Sequence, residues 1–94
     1  MGKTKTIPWD SADYLETPED VAHYLQAVFD DGDPNLITHA LGVIARAKGM
    51  SKVAQSAGLG RESLYKALSP DGNPEFATVL KVMRALGVKL RVAV

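Results

Sequence analysis

The sequence predicts an all-α fold of five to six helices that ends in one short β-strand, within a single domain spanning residues 1–94. Three observations support this prediction. Apolar residues recur at helical spacing in separate segments along the chain. Proline-containing start signals precede these segments, and glycines follow them. The last seven residues instead alternate between apolar side chains and cationic or small ones, which is typical of a half-buried strand.

The first two helices have clear start and stop signals. Thr17-Pro18 opens one and Asp33-Pro34 opens the other, because Thr and Asp are good N-caps and proline suits the first turn. Gly32 and Gly49 end them. Their predicted apolar stripes are Val21, Tyr24, Leu25, Val28 and Phe29, then Leu36, Ile37, Ala40, Leu41, Ile44 and Ala45. A short turn from Ser11 to Leu15 would add a sixth helix.

Three shorter segments follow. Ser51 is predicted to cap a helix that runs to Ala57, and a second short helix is expected from about Arg61 to Leu68. Asn73-Pro74 is predicted to open a last helix that ends at Gly87. Its predicted core residues are Phe76, Val79, Leu80, Met83 and Leu86.

The predicted strand covers residues 88–94. A lone strand cannot satisfy its own backbone hydrogen bonds, so we expect it to pair with its copy in a second subunit or with another protein. The alternative is an irregular tail packed on the helices.

Composition excludes several classes of site. The chain has no cysteine, which rules out disulfides and thiolate metal ligands, and His23 and His39 lack the spacing of a zinc pair. No apolar run approaches the roughly 20 residues of a membrane span. No phosphate-binding glycine loop or nucleophile motif is present. We therefore expect a cytoplasmic protein that is not an enzyme and needs no cofactor.

Charge is unevenly distributed although the net charge is zero. Residues 1–33 contain two lysines and eight carboxylates, whereas residues 34–94 contain nine cationic and three acidic residues. This asymmetry predicts an acidic surface and a basic surface with different partners. The alternative is two solvated faces without a specific partner.

Residues 51–68 carry the most informative pattern. A helix-turn-helix needs a small residue where its helices touch, and a residue that tolerates positive φ in the turn. Ala54 and Gly58 meet these needs, while Leu59 and Leu64 can anchor the turn and the second helix. An ordinary tight helical hairpin is the alternative.

In a helix-turn-helix, the second helix enters the DNA major groove with its N-terminal part. Arg61 is then placed to donate two hydrogen bonds to guanine, a contact worth about 1–3 kcal/mol of discrimination. Tyr65 could contact thymine methyl groups or a phosphate, and Lys52 and Lys66 suit phosphates. The full set of candidate DNA-binding residues is Ser51, Lys52, Gln55, Arg61, Ser63, Tyr65 and Lys66.

Nearly the whole chain resembles the HigA-like addiction-module antidote proteins, a branch of the Xre/Cro-type helix-turn-helix regulators. The matching segments are Tyr14-Leu15, Pro18-Glu19-Asp20, Tyr24-Leu25, Ala40-Leu41, Ala45-Arg46-Ala47, Gly49-Met50, Arg61 to Ser69, Gly72-Asn73-Pro74 and Ala85-Leu86-Gly87. The run from Arg61 to Pro74 is the most specific. Gly60 departs from the family pattern, in which a serine caps this helix.

This resemblance implies a lambda-repressor-like domain that acts as the antitoxin of a bacterial toxin–antitoxin pair. It also implies a cognate RelE-like toxin, which is a small basic ribonuclease. Such antitoxins neutralise the toxin by binding it, and as homodimers they repress their shared operon by binding operator DNA. A stand-alone phage-type transcriptional regulator without a toxin is the alternative, and the identity of the neighbouring gene product distinguishes the two.

A cationic toxin gives the acidic segment 1–33 a candidate partner, because opposite charges steer association. The candidate toxin-binding residues are Trp9, Asp10, Asp13, Tyr14, Glu16, Glu19 and Asp20. The two aromatic residues in this set could serve as apolar anchors for the toxin. They could equally pin the N-terminus to the core. Residues 34–87 would then form the DNA-binding core and residues 88–94 the terminal strand.

Overall fold

The computed structural model describes residues 15–94, and this part of the chain contains five α-helices. They are α1 (Pro18–Asp31), α2 (Pro34–Lys48), α3 (Met50–Ala57), α4 (Arg61–Ala67) and α5 (Phe76–Ala85). The all-α prediction is therefore confirmed for these residues. The sixth helix that the sequence allowed, from Ser11 to Leu15, falls outside the described residues except for Leu15, which is buried and not helical.

Helix α1 begins with a complete capping box. The Thr17 hydroxyl accepts a hydrogen bond from the Asp20 amide at 3.1 Å, and the Asp20 carboxylate accepts one from the Thr17 amide at 3.2 Å. Two N–H groups that no helical carbonyl can reach are thereby satisfied. Gly32 ends the helix with φ +83°, and its N–H donates to the Val28 carbonyl.

Helix α3 begins two residues earlier than predicted, at Met50, because its N-cap is Gly49 and not Ser51. Gly49 is both the C-cap of α2 and the N-cap of α3, with its N–H donating to the carbonyls of Ala45 and Arg46. Because this single glycine joins the two helices, no separate capping residue fits between them. Ser51 consequently lies exposed inside the first turn of α3 instead of capping it.

Helix α5, in contrast, begins later than predicted. Glu75 has an extended backbone, with φ −66° and ψ 154°, and occupies the N-cap position, so the helix starts at Phe76 and not at Asn73-Pro74. Phe76 stands at the open end of the helix and is 66% exposed. Val82, which the predicted stripe omitted, is fully buried.

All five helices contribute to one hydrophobic core. Its largest fully buried side chains are Leu41, Ile44, Leu64, Val21 and Val82. The stripe predicted for α1 is confirmed, and that of α2 is confirmed except for Leu36, which is exposed. In α5, Leu80 is also exposed, because it lies about 100° around the helix from half-buried Val79. No polar or charged side chain of residues 15–94 is buried.

The C-terminal segment differs most from its prediction. Val88 is buried, and its N–H donates to the Met83 carbonyl at 3.1 Å. Beyond it, residues 89–94 form no strand, and Val92 is 98% exposed. The reason is that a strand requires a partner for its backbone groups, and residues 15–94 provide no second strand. The segment instead contributes to a shallow groove beside α1, which Leu90 and Phe29 both line.

None of the helices in residues 15–94 has both the length and the apolar composition needed to cross a membrane.

Candidate nucleic-acid interface

Helices α3 and α4 are joined by a tight turn of three residues, 58–60. Gly58 adopts the left-handed conformation, with φ +73° and ψ 31°, and its N–H donates to the carbonyls of Ala54 and Gln55. The N–H of Leu59 also donates to the Ala54 carbonyl, at 2.9 Å. The turn therefore satisfies the carbonyls left open at the end of α3. The predicted need for glycine at position 58 is confirmed.

Apolar contacts hold these two helices together. Ala54 and Leu64 are buried, and Leu59 is half-buried against the core, as the sequence predicts. Helix α3 packs against α2, α4 and α5, so it lies in the middle of the structure. Helix α4 has only seven residues, which is too short to be stable alone, and it depends on these contacts.

Two further glycines hold the C-terminal end of α4. A Cβ atom at Gly42 in α2 would lie 3.1 Å from the Leu68 carbonyl oxygen. A Cβ atom at Gly72 would overlap the Ala67 carbonyl oxygen and lie 2.6 Å from that of Lys66. The end of α4 is thus enclosed by α2 and by the loop that follows it. The sequence analysis missed both roles, although an isolated glycine inside a helix, such as Gly42, is a signal of close packing.

The seven candidate DNA-binding residues all have exposed side chains. They lie on α3 and α4: Ser51, Lys52, Gln55, Arg61, Ser63, Tyr65 and Lys66. On α4, Leu64 and the cap residue Leu68 are buried, so this short helix has one anchored side and one open side. The open side therefore presents hydrogen-bond donors and positive charge on a helix that is held from behind.

Arg61 and Tyr65 interact on the open side of α4. The centre of the Arg61 guanidinium lies 5.3 Å from the centroid of the Tyr65 ring, within the range of a cation–π contact. The two residues are four positions apart, so they occupy the same face of the helix. The pair was not predicted from the sequence, although the i, i+4 spacing was the available signal.

The comparisons with known proteins bear on the role of this unit. A family model described as probable addiction module antidote protein matches residues 5–94. The chain belongs to this antidote family. It is also 49% identical over 84 residues to an uncharacterised protein of Haemophilus influenzae, covering 89% of this chain and 87% of that protein. No solved structure matches the chain.

Membership of the antidote family confirms the antitoxin part of the sequence-based resemblance. The family consists of regulatory proteins without enzymatic activity, as the sequence predicts. An antidote also implies a toxin partner. Residues 15–94 bring together no group of three or more histidine and acidic side chains that could hold a metal ion.

Helix α4 follows Gly60, the position at which the sequence-based resemblance expects a serine cap. Gly60 occupies the N-cap of α4 with an extended backbone, and no side chain caps the helix. The nearest atom to a Cβ built on Gly60 is the Ser63 hydroxyl oxygen, at 3.7 Å, which is an ordinary contact. A larger residue therefore fits at this position, and the structure does not require the glycine.

Lys66 lies near two acidic residues, Asp71 and Glu75. It lines a shallow pocket beside α4 together with Ser63, Asp71 and Glu75. Two carboxylates on the rim of this pocket weaken the positive potential on the Lys66 side of the helix. Arg61 does not line this pocket.

Only part of the predicted toxin-binding surface can be located. Trp9, Asp10, Asp13 and Tyr14 lie outside the described residues. Glu16 and Glu19 are exposed near the start of α1, and the Lys48 ammonium donates to the Glu16 carbonyl oxygen at 3.2 Å. Asp20 has a structural role, because the Thr17 backbone N–H donates to its carboxylate and lowers the pKa of that group below the usual value.

Proposed function

We propose that this chain is the antitoxin of a type II toxin–antitoxin module of the HigA-like, Xre/Cro helix-turn-helix type. It acts in the cytoplasm, neutralises a small basic RelE-like ribonuclease, and represses its own operon by binding operator DNA. The DNA-binding part of this proposal rests on the arrangement of helices α3 and α4. In a chain of the antidote family, this arrangement presents Arg61, Ser63, Tyr65 and Lys66 on the open side of an anchored helix.

In this proposal α4 is the reading helix, which enters the major groove by its N-terminal part. Arg61, at the first position of α4, donates to guanine O6 and N7. Lys52 and Lys66 bind phosphates, and Ser51 and Gln55 on α3 add backbone contacts. The buried side chain of Leu64 keeps α4 at a constant depth in the groove.

The protein binds its operator as a homodimer. A chain of zero net charge has weak non-specific affinity for DNA, so tight binding requires specific contacts from two reading helices. The operator is then palindromic, with half-sites about 34 Å apart. The dimer interface involves either the C-terminal segment 88–94 or the helices.

The acidic start of the chain binds the toxin. Glu16 and Glu19 are exposed and free to approach a cationic surface. Asp20, Asp10 and Asp13 extend the same negative charge, and the aromatic residues Trp9 and Tyr14 supply apolar anchors.

A gel shift tests the proposal. The probe is the DNA upstream of the chain's own gene, and each titration is run with and without the neighbouring gene product. We expect a shift by the protein alone and a change in that shift when the neighbouring product is added. DNA binding that is indifferent to the neighbouring product would favour a stand-alone phage-type regulator, and the absence of any shift would contradict operator binding.

Replacing the proposed reading residue sharpens this test. Arg61→Ala should weaken operator binding by about 1–3 kcal/mol and relax specificity at one base pair. The matched control is Arg84→Ala, which removes the same exposed side chain from the last turn of α5. Equal footprints from Arg61→Ala and the parent protein would show that α4 does not read the bases.

Charge reversal tests the toxin surface in the same way. A variant with Glu16→Lys and Glu19→Lys should bind the neighbouring gene product more weakly and lose more affinity at low salt than at high salt. Asp30→Lys with Asp31→Lys, at the other end of α1, is the control of equal charge. Unchanged affinity in the first variant would remove Glu16 and Glu19 from the interface.

A further inference from the structure

The cation–π pair on α4, formed by Arg61 and Tyr65, indicates that these two residues act together and not as separate contacts. Arg61 and Tyr65 are both exposed, yet the guanidinium lies over the tyrosine ring at 5.3 Å in the free chain. Tyr65 is 42% exposed, so its side chain remains partly open to solvent beside this contact. The contact with Arg61 is therefore present before any ligand arrives.

We propose that Tyr65 is a positioning residue that holds Arg61 in the orientation needed to read guanine. The inference rests on the proposed DNA-binding function. The contact is an electrostatic attraction between the guanidinium and the ring face, at 5.3 Å from the ring centroid, and the guanidinium carries five N–H donors. An arginine held in this way can therefore still donate two hydrogen bonds to a base.

The benefit of this contact is that the Arg61 side chain is already ordered before DNA binds. A free arginine side chain loses rotamer freedom when it binds, and this loss reduces affinity. The Tyr65 ring restricts Arg61 in the unbound protein, so less freedom is lost on binding DNA. Leu64, the residue next to Tyr65 on α4, is fully buried, so the helix that carries the Tyr65 ring stays in place.

This role differs from a direct contact of Tyr65 with thymine methyl groups or a phosphate. A direct phosphate contact requires the hydroxyl, whereas a platform for arginine requires only the aromatic face. A direct contact is also independent of Arg61, whereas a platform has no function without it. These two differences define the experiment.

The experiment is a double-mutant cycle in DNA affinity. Tyr65→Phe retains the ring face, and Tyr65→Leu removes it while keeping a good helix former. Each is made alone and together with Arg61→Ala. The probe is a duplex selected by the parent protein from a random-sequence library. A second set of duplexes carries 7-deazaguanine in place of each guanine in turn, which deletes the N7 acceptor.

We expect Tyr65→Phe to bind within about twofold of the parent. Tyr65→Leu should weaken binding about two- to tenfold, the factor expected from freeing one long side chain. In the Arg61→Ala background, Tyr65→Leu should have no further effect. The parent and Tyr65→Phe should respond to 7-deazaguanine at one position, and Tyr65→Leu should respond less at that same position.

Three results would overturn the proposal. Equal losses in Tyr65→Phe and Tyr65→Leu would assign the effect to the hydroxyl. Losses that add in the double variant would show that Tyr65 contacts DNA independently of Arg61. Unchanged affinity and discrimination in Tyr65→Leu would show that the ring has no role.

A measurement without DNA separates failure of the inference from failure of the proposed function. In the free protein, NMR should show ring-current shifts of the Arg61 side-chain protons in the parent and in Tyr65→Phe, but not in Tyr65→Leu. If these shifts are present and the parent selects no duplex, operator binding itself is wrong, and the role of Tyr65 in it is overturned too. If the parent binds DNA and the shifts are absent, only the inference fails.

Discussion

Helices α1 and α4 begin in opposite ways. Helix α1 has fourteen residues and a capping box in which Thr17 and Asp20 satisfy each other's backbone N–H groups. Helix α4 has seven residues, a glycine N-cap and no side-chain cap. The first helix is defined by its own sequence, whereas the second is held by its neighbours. Helix α4 should therefore be the more sensitive of the two to changes elsewhere in the structure.

The largest expected effect comes from the anchor of α4. Leu64 is fully buried, so Leu64→Ala should destabilise the protein by about 2–5 kcal/mol through lost burial and a cavity. Denaturant unfolding measures this loss. Glu62→Ala, in the same helix, serves as the control, because it truncates an exposed side chain and introduces a good helix former. A loss below about 1 kcal/mol for Leu64→Ala would mean that α4 does not depend on this contact.

The next effect comes from the loop that encloses the end of α4. In Gly72→Ala, the new methyl group would overlap the Ala67 carbonyl oxygen, so either the loop or the helix must shift. We expect a loss of about 1–3 kcal/mol, typical of overpacking. In the proposed DNA-binding function, a shift of α4 would lower DNA affinity as well, whereas a shift of the loop alone would not. Gly60→Ser is the matched control, because the nearest atom to its new Cβ is 3.7 Å away and serine is a good N-cap, so it should not lower stability.

The capping box of α1 should have an intermediate effect, and its two variants should depend on pH to different degrees. Thr17→Ala should reduce stability by about 0.5–2 kcal/mol, and most of this loss should persist at every pH because the hydroxyl caps the Asp20 amide as a neutral acceptor. Asp20→Asn should behave differently. The pKa of Asp20 is lowered in the folded chain, chiefly by the hydrogen bond from the Thr17 backbone N–H, so its carboxylate stabilises the fold above the unfolded pKa.

This stabilisation is lost as the pH falls through the folded pKa of Asp20, which lies below the usual value of 3.8. The difference in stability between the parent and Asp20→Asn should therefore be present at neutral pH and disappear in acid. Thermal unfolding at several pH values measures it. A difference that persists in acid would mean that the charge of Asp20 is irrelevant to the start of α1.

The smallest effect is a gain. In Gly60→Ser, the added side chain fits beside Ser63 and supplies the cap that α4 lacks. A serine cap is better than glycine by a few tenths of a kcal/mol, so the melting temperature should rise slightly. A fall in the melting temperature would show that the backbone at position 60 is less tolerant than its φ of −72° suggests.

Much of the fold could be predicted because its signals are local. The start of α1 at Thr17-Pro18, the turn at Gly58 and the buried Leu64 follow from residues within one or two turns of each other. The candidate DNA-binding residues were predicted to face outward, and their side chains are exposed. Their contacts with DNA stay predictions.

The errors arose where one residue serves two elements or where a partner is required. Gly49 caps both α2 and α3, so the predicted cap at Ser51 is wrong. The alternating pattern of residues 88–94 is compatible with a strand, but a strand forms only when another strand pairs with it. Within residues 15–94 that partner does not exist.

The sequence by itself determined the helices, the glycine turn at position 58 and the family, because caps, apolar spacing and family motifs are properties of short stretches of chain. The tertiary structure decided how α4 is held and what its surface presents. Gly42 and Gly72 enclose its end, and the Tyr65 ring lies beneath the Arg61 guanidinium. The Gly42 contact joins α2 to Leu68, far along the chain, and the Gly72 contact depends on how the loop after α4 folds back on that helix. The cation–π pair is one of several rotamers that the i, i+4 spacing permits, so a one-dimensional pattern specifies none of the three.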